Sequence, residues 1–192
     1  MSPAPAGDSP YLHHADYWVA AAEAGEYPVR QGDLFANLQT ADGAHVDAGV
    51  IVHPTCELGK ASVMNVQIAQ VYPLDALPDE SQRQRVVAGI SEKDGGVRIA
   101  FAHTFFIAPV EGSVLELPMW ADFRELALAP REQFSQDARI GALTHDARVT
   151  FIRRYLYFRL RWALTFEQVR DMEAARIAAD PAFAGPRPDW VG

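Results

Sequence analysis

A chain of 192 residues, 49% of them hydrophobic, is long and apolar enough to pack one domain and too apolar to stay unfolded. Its formal net charge of −8 excludes a surface that binds nucleic acid everywhere, although six arginines against one acid, Asp146, between Arg139 and Arg161 leave a local basic face open. The single cysteine, Cys56, excludes an internal disulfide and points to a reducing, cytoplasmic setting, and neither a signal peptide nor a membrane span is expected.

In chain order, residues 1–8 read as a flexible Pro/Ala-rich start, and residues 9–192 as a single domain. Ser9 and Pro10 are an N-cap and first-position pair, predicting a helix over 10–24 that stops at Gly25. Residues 33–38 and 46–53 alternate as two strands around the turn Ala41-Asp42-Gly43-Ala44. A strand follows over 63–74, closed by Pro73. Asp79 and Glu80 open a short polar helix to Ala88. Gly95-Gly96 is a turn, residues 97–108 read as one strand, and 113–117 and 123–128 as two more. Six or so strands at short spacing, over 30–130, predict an α+β chain that is mainly β, with a small barrel or sandwich.

From Thr144 the pattern becomes helical to Ala163. Phe151, Tyr155, Phe158 and Trp162 share one side, and Val149, Ile152, Leu156 and Leu160 the next, so this helix should pack on more than one side. Thr165 and Gln168 form a capping box for a second helix to Ala179, stopped at Asp180-Pro181. The tail 181–192 is Pro/Gly-rich, and Trp190 is its docking candidate.

Four pieces, in order, resemble the MazF/PemK-type toxins. They are Gly32-Asp33-Leu34, Gly49-Val50-Ile51-Val52, Val71-Tyr72-Pro73 and Arg139-Ile140-Gly141-Ala142-Leu143-Thr144. The resemblance implies an SH3-like β-barrel, here with an N-terminal helix and two C-terminal helices added. It does not extend to the family's ribonuclease chemistry. Where the family places an arginine before its second strand, to stabilise charge on phosphorus, this chain has Asp47-Ala48. Where the family has Thr or Ser after the third piece, it has Leu74-Asp75. Carboxylates there repel a phosphate.

The remaining reactive residues allow several readings. Cys56, three residues after His53 and with His103 on a later strand, has the elements of a thiolate nucleophile and its base, with Asp47 as an orienting group; a buried structural thiol is the plainer alternative. His53-x-x-Cys56 also has the spacing of half a zinc site. No second pair completes it, so no metal is assigned. His13, His14 and Asp16 cannot converge on one ion from a helix. Arg153, Arg154, Arg159 and Arg161, interleaved with aromatics, resemble a nucleic-acid helix, yet the wheel scatters them over three directions. No phosphate loop or dinucleotide fingerprint occurs, so no cofactor is expected. The expectation is therefore a non-catalytic binding or regulatory module. Asp47, Arg154 and Arg161 are its candidate contact residues, and a protein is its partner. Nucleic acid and a homodimer are the other partners considered, and the rivals are an enzyme centred on Cys56, with His53 or His103 as base, or a divergent nucleic-acid-processing member of the barrel family.

Overall fold

The computed structural model describes residues 17–19, 21–93, 96–99, 101–110, 113 and 115–160. Most of the predicted helix over 10–24, the second C-terminal helix over 165–179, the tail with Trp190, His13, His14, Asp16 and Arg161 lie outside the described residues.

The hairpin forms as its turn chemistry dictates: β1 (Leu34–Gln39) pairs antiparallel with β2 (His45–Ile51), and Gly43 takes the positive φ of the turn. A short helix, α2 (Thr55–Leu58), leads to β3 (Asn65–Pro73), which pairs with β2. Helix α3 (Glu80–Ala88) follows, after the single turn α1 (Ala21–Ala24) earlier in the chain. The Asp79 side chain accepts the Ser81 N–H at 2.8 Å and so serves as the N-cap of the helix expected to open there.

The stretch predicted as one strand over 97–108 is two. β4 (Ile90–Lys93) pairs with β5 (Gly96–Ile99) in a separate hairpin, and β6 (Thr104–Ile107) starts afresh. Phe101 sits between them at φ 45°, a left-handed conformation that ends any strand. Among the described residues of the predicted strand over 113–117 none is a strand residue; the Leu115 carbonyl accepts the Val110 N–H and the Ser113 hydroxyl donates to the Val110 carbonyl. The strand predicted over 123–128 is the middle of the longer β7 (Met119–Pro130). Its register against β3 shifts between Ala69 and Gln70, leaving residues 123–125 bulged and the sheet bent there. A three-residue strand, β8 (Arg139–Gly141), joins β1, and the long helix α4 (His145–Leu160) closes the described chain.

The sheet order is β6-β7-β3-β2-β1-β8. It is an antiparallel sheet that does not close, which corrects the barrel expected from the sequence. The reason lies at the seam. Edge strands β6 and β8 are separated by residues 17–19, which the sequence placed inside a helix. Trp18 forms an antiparallel bridge with Leu143, the Val19 N–H donates to the Ala142 carbonyl at 2.8 Å, and the Thr144 N–H donates to the Tyr17 carbonyl. The side chains then reach across. The Tyr17 hydroxyl donates to the Phe106 carbonyl, and the Trp18 indole N–H to the carbonyls of Ala108 and Pro109. Two aromatic side chains thus occupy the gap that strand pairing would have closed.

Strand alternation divides the core between the two faces of the sheet. On one face, Val50, Ala69, Val71, Ala121 and Phe105 meet Ala147, Phe151 and Tyr155 of α4. The Phe151 ring stands edge-on to Phe105 and Phe123, with centroids at 5.0 and 5.5 Å. On the other face, Phe35, Ile51, Val66 and Ile68 are covered by Leu58, Val63 and Phe134.

Gly141 lets the seam close tightly. A Cβ there would lie 2.8 Å from the Trp18 ring. Gly141→Ala is expected to destabilise the protein by about 1–3 kcal/mol through overpacking. Thermal unfolding measures it, and a change in tryptophan fluorescence would place the disturbance at the seam.

Candidate functional site

The reactive residues singled out from the sequence do not converge. Cys56 is exposed on α2. His53, half-buried two residues after β2, accepts at Nδ1 from the Gln67 N–H at 3.4 Å, which ties the loop to β3. His103 precedes β6 and packs edge-on to Phe101 and Phe158. Three strand spacings, roughly 14 Å, separate β6 from β2 in the sheet order. His103 therefore lies out of reach of Cys56. Asp47 is exposed on β2 and, among the described residues, pairs with exposed His45, Nε2 to Oδ1 at 3.1 Å. Asp75 is exposed in the turn after Pro73. Among the described residues, no three His, Cys, Asp or Glu side chains stand close enough to hold a metal ion.

Arg154 turns inward. Its guanidinium donates to the carbonyls of Thr104 (2.5 Å), Gly89 (2.7 Å) and Phe101 (3.2 Å). Burial pulls its pKa down to about 10, still far above neutrality, so the group remains charged. Its role is to fasten α4 to the end of α3 and to the turn before β6.

The concentrated electrostatics lie elsewhere, where the first and last of the four resemblance pieces meet. Asp33 and Arg139, 106 residues apart, form an ion pair of 2.7 Å with side chains only 1% and 2% exposed. β1 and β8 bring them together, pairing Leu34 with Gly141 and Phe35 with Arg139. Arg139 also donates to the carbonyls of Ala24, Tyr27 and Pro28. The Arg30 N–H donates to the same Asp33 oxygen, Oδ2, at 2.9 Å. Arg30 adds its charge at Asp33, and Arg148 acts in turn on Arg30. Arg30 lies over the Tyr27 ring, 4.5 Å from its centroid. Arg148, from the first turns of α4, brings its Cγ to within 3.4 Å of where a Cβ on Gly32 would stand. Gly32, at φ 91°, makes the turn into β1 and leaves that space free.

Burial is the largest influence on the Asp33 carboxyl and raises its pKa, opposed by the hydrogen bonds from Arg139 and the Arg30 N–H and then by the two guanidinium charges. The Arg30 pKa is lowered, first by burial and then by the charge of Arg148. Oδ1 of Asp33, Nε of Arg30 and Nη1 of Arg148 are all buried without a hydrogen-bond partner. In the sequence Asp33 and Arg139 stand in separate pieces of the resemblance, with no local pattern that pairs them or adds Arg30. The available signal was a buried-type acid, Asp33, between a glycine and two apolar residues, a setting that calls for a cationic partner.

No family model matches this sequence, and comparison with curated proteins gives no match.

Proposed function

We propose that the chain is a non-catalytic binding or regulatory module that works through contact with a protein partner. We propose also that its scaffold is related to the MazF/PemK-type toxins. The observation that carries the first reading is the outer surface of α4. Its inner row, Ala147, Phe151 and Tyr155, is buried in the core. Leu156 and Leu160, one turn apart, are nevertheless 47% and 41% exposed. Exposed Arg153 and Arg159 flank them. An apolar row framed by cations suits a partner with an apolar stripe bordered by acids. The meeting of Gly32-Asp33 with Arg139-Ile140-Gly141 in one buried pair supports the proposed kinship, since both pieces came from that resemblance.

The test is a paired assay. Leu156→Asp with Leu160→Asp changes only exposed side chains and should leave unfolding unaltered. Chemical crosslinking in extract, quantified by mass spectrometry, should yield a defined protein with the wild type and at least tenfold less of it with the variant. Turnover of single-stranded RNA by the purified chain, lost on changing Asp47 or Asp75, would overturn the reading.

The exposed position of Cys56 is what favours the rival enzyme reading. Under the leading reading Cys56 reacts with iodoacetamide no faster than free glutathione does. Selective, much faster alkylation would favour the enzyme.

A further inference from the structure

The arginine cluster around Asp33 has more positive charge than its folding role requires. Arg139 alone neutralises Asp33, and its remaining contacts are carbonyls. Arg30 and Arg148 are then surplus: three guanidiniums against one carboxylate leave a local formal charge of about +2. This excess sits in a chain whose net charge is −8. The two surplus arginines meet around Gly32: Arg30 lies two residues before it, and the Arg148 Cγ packs 3.4 Å from where its Cβ would stand. Each also buries an N–H nitrogen with no acceptor, Nε of Arg30 and Nη1 of Arg148. Two like charges with unmet donors raise the free energy of the folded chain unless an acceptor of opposite charge joins them.

We propose that Arg30 and Arg148 hold a doubly charged oxyanion, the phosphate group of a phosphate monoester, beside the Asp33–Arg139 pair. The class follows from charge and donor geometry. A monoester phosphate carries about −1.5 to −2 at neutral pH and offers three acceptor oxygens. It can balance the excess and accept from both planar guanidiniums. An internal phosphodiester or a carboxylate brings a single charge and leaves half the excess unbalanced. Tyr27, 39% exposed, holds Arg30 by its ring face and so fixes one side of the clamp. The site is independent of the α4 surface and of the protein-partner reading.

Isothermal titration of the full chain with inorganic phosphate, at pH 7.5 and low salt, tests the proposal. Saturable binding of one phosphate is expected, with sulfate competing and acetate at the same ionic strength at least tenfold weaker. Arg30→Gln and Arg148→Gln should each weaken phosphate at least tenfold, whereas Arg85→Gln, an exposed arginine on α3, should not. Arg30→Lys and Arg148→Lys keep the charge and guard against loss of fold; intermediate affinity is expected from them. A phosphoserine peptide and adenosine 5′-monophosphate distinguish two sources of the same chemistry, a modified side chain and a small metabolite. Whichever binds more tightly than inorganic phosphate identifies the source. Acetate binding as well as phosphate, glutamine variants that bind like the wild type, or no saturable binding at all would overturn the proposal.

Discussion

Removing Asp33 alone is expected to cost about 3–5 kcal/mol, because Asp33→Ala leaves Arg139 buried with its charge uncompensated. The Arg139 side chain is 2% exposed, so water cannot take over the role of the carboxylate. Arg30 adds to the loss, since Asp33 is the carboxylate that acts on its charge. Arg139→Ala should cost a similar amount, leaving Asp33 buried and the carbonyls of Ala24, Tyr27 and Pro28 without their donor. The double variant Asp33→Leu with Arg139→Met should recover most of the loss. Burial already outweighs pairing at Asp33, as its raised pKa shows. The difference between the single and double variants in urea unfolding measures the coupling, and two single losses that simply add would refute it.

The same raised pKa sets a sign for pH. The folded chain holds the Asp33 proton more tightly than the unfolded chain. This contribution to stability is complete below the ordinary carboxylate value of 3.8 and is lost as pH rises through the higher folded value. Relative to the double variant, the wild type should therefore gain stability as pH falls from 7 to 4.

Arg154→Met is expected to cost about 4 kcal/mol, for a different reason. Arg154 donates to the carbonyls of Gly89, Phe101 and Thr104; Phe101 keeps the Thr104 N–H and hydroxyl as donors, so the loss falls on the Gly89 and Thr104 carbonyls, at about 1–3 kcal/mol for each acceptor left unmet. Methionine fills part of the volume but donates nothing. One of the three carbonyls belongs to Phe101, a non-glycine residue held in a left-handed conformation at φ 45°, which needs outside contacts to persist. The loss should thus be local as well as global. Hydrogen exchange should accelerate across residues 86–104 before it does in β1, β2 or β3. Arg154→Lys keeps a charge but not the planar fork, and should fall between wild type and Met. Uniform acceleration across the sheet would show that Arg154 does not anchor this corner.

These two arginines show how far the site was legible. Arg154 was singled out as a contact residue from its place in a basic aromatic helix, and the structure turns it inward to carbonyls. Arg139 was read only as the lead-in to that helix, and it forms the buried pair. A helical wheel gives direction, but not which neighbour lies there or whether that neighbour offers a carbonyl or solvent. Likewise the separation of His53 and Cys56 from His103 follows from sheet order, which puts two strands between them.

The sequence by itself determined the local elements: the β1–β2 hairpin with Asp42-Gly43 at its turn, β3 ending at Pro73, α3 opening at Asp79 and Glu80, and the apolar face of α4. Alternation, capping and turn chemistry act over a few residues, so they can be read along the chain. Only the tertiary structure decided that Tyr17 and Trp18 fill the seam of an open sheet, that the strand expected over 97–108 breaks at Phe101, and that Asp33 meets Arg139 across 106 positions. Each depends on which buried polar group finds which partner once the core has packed, and residue periodicity carries no record of that choice.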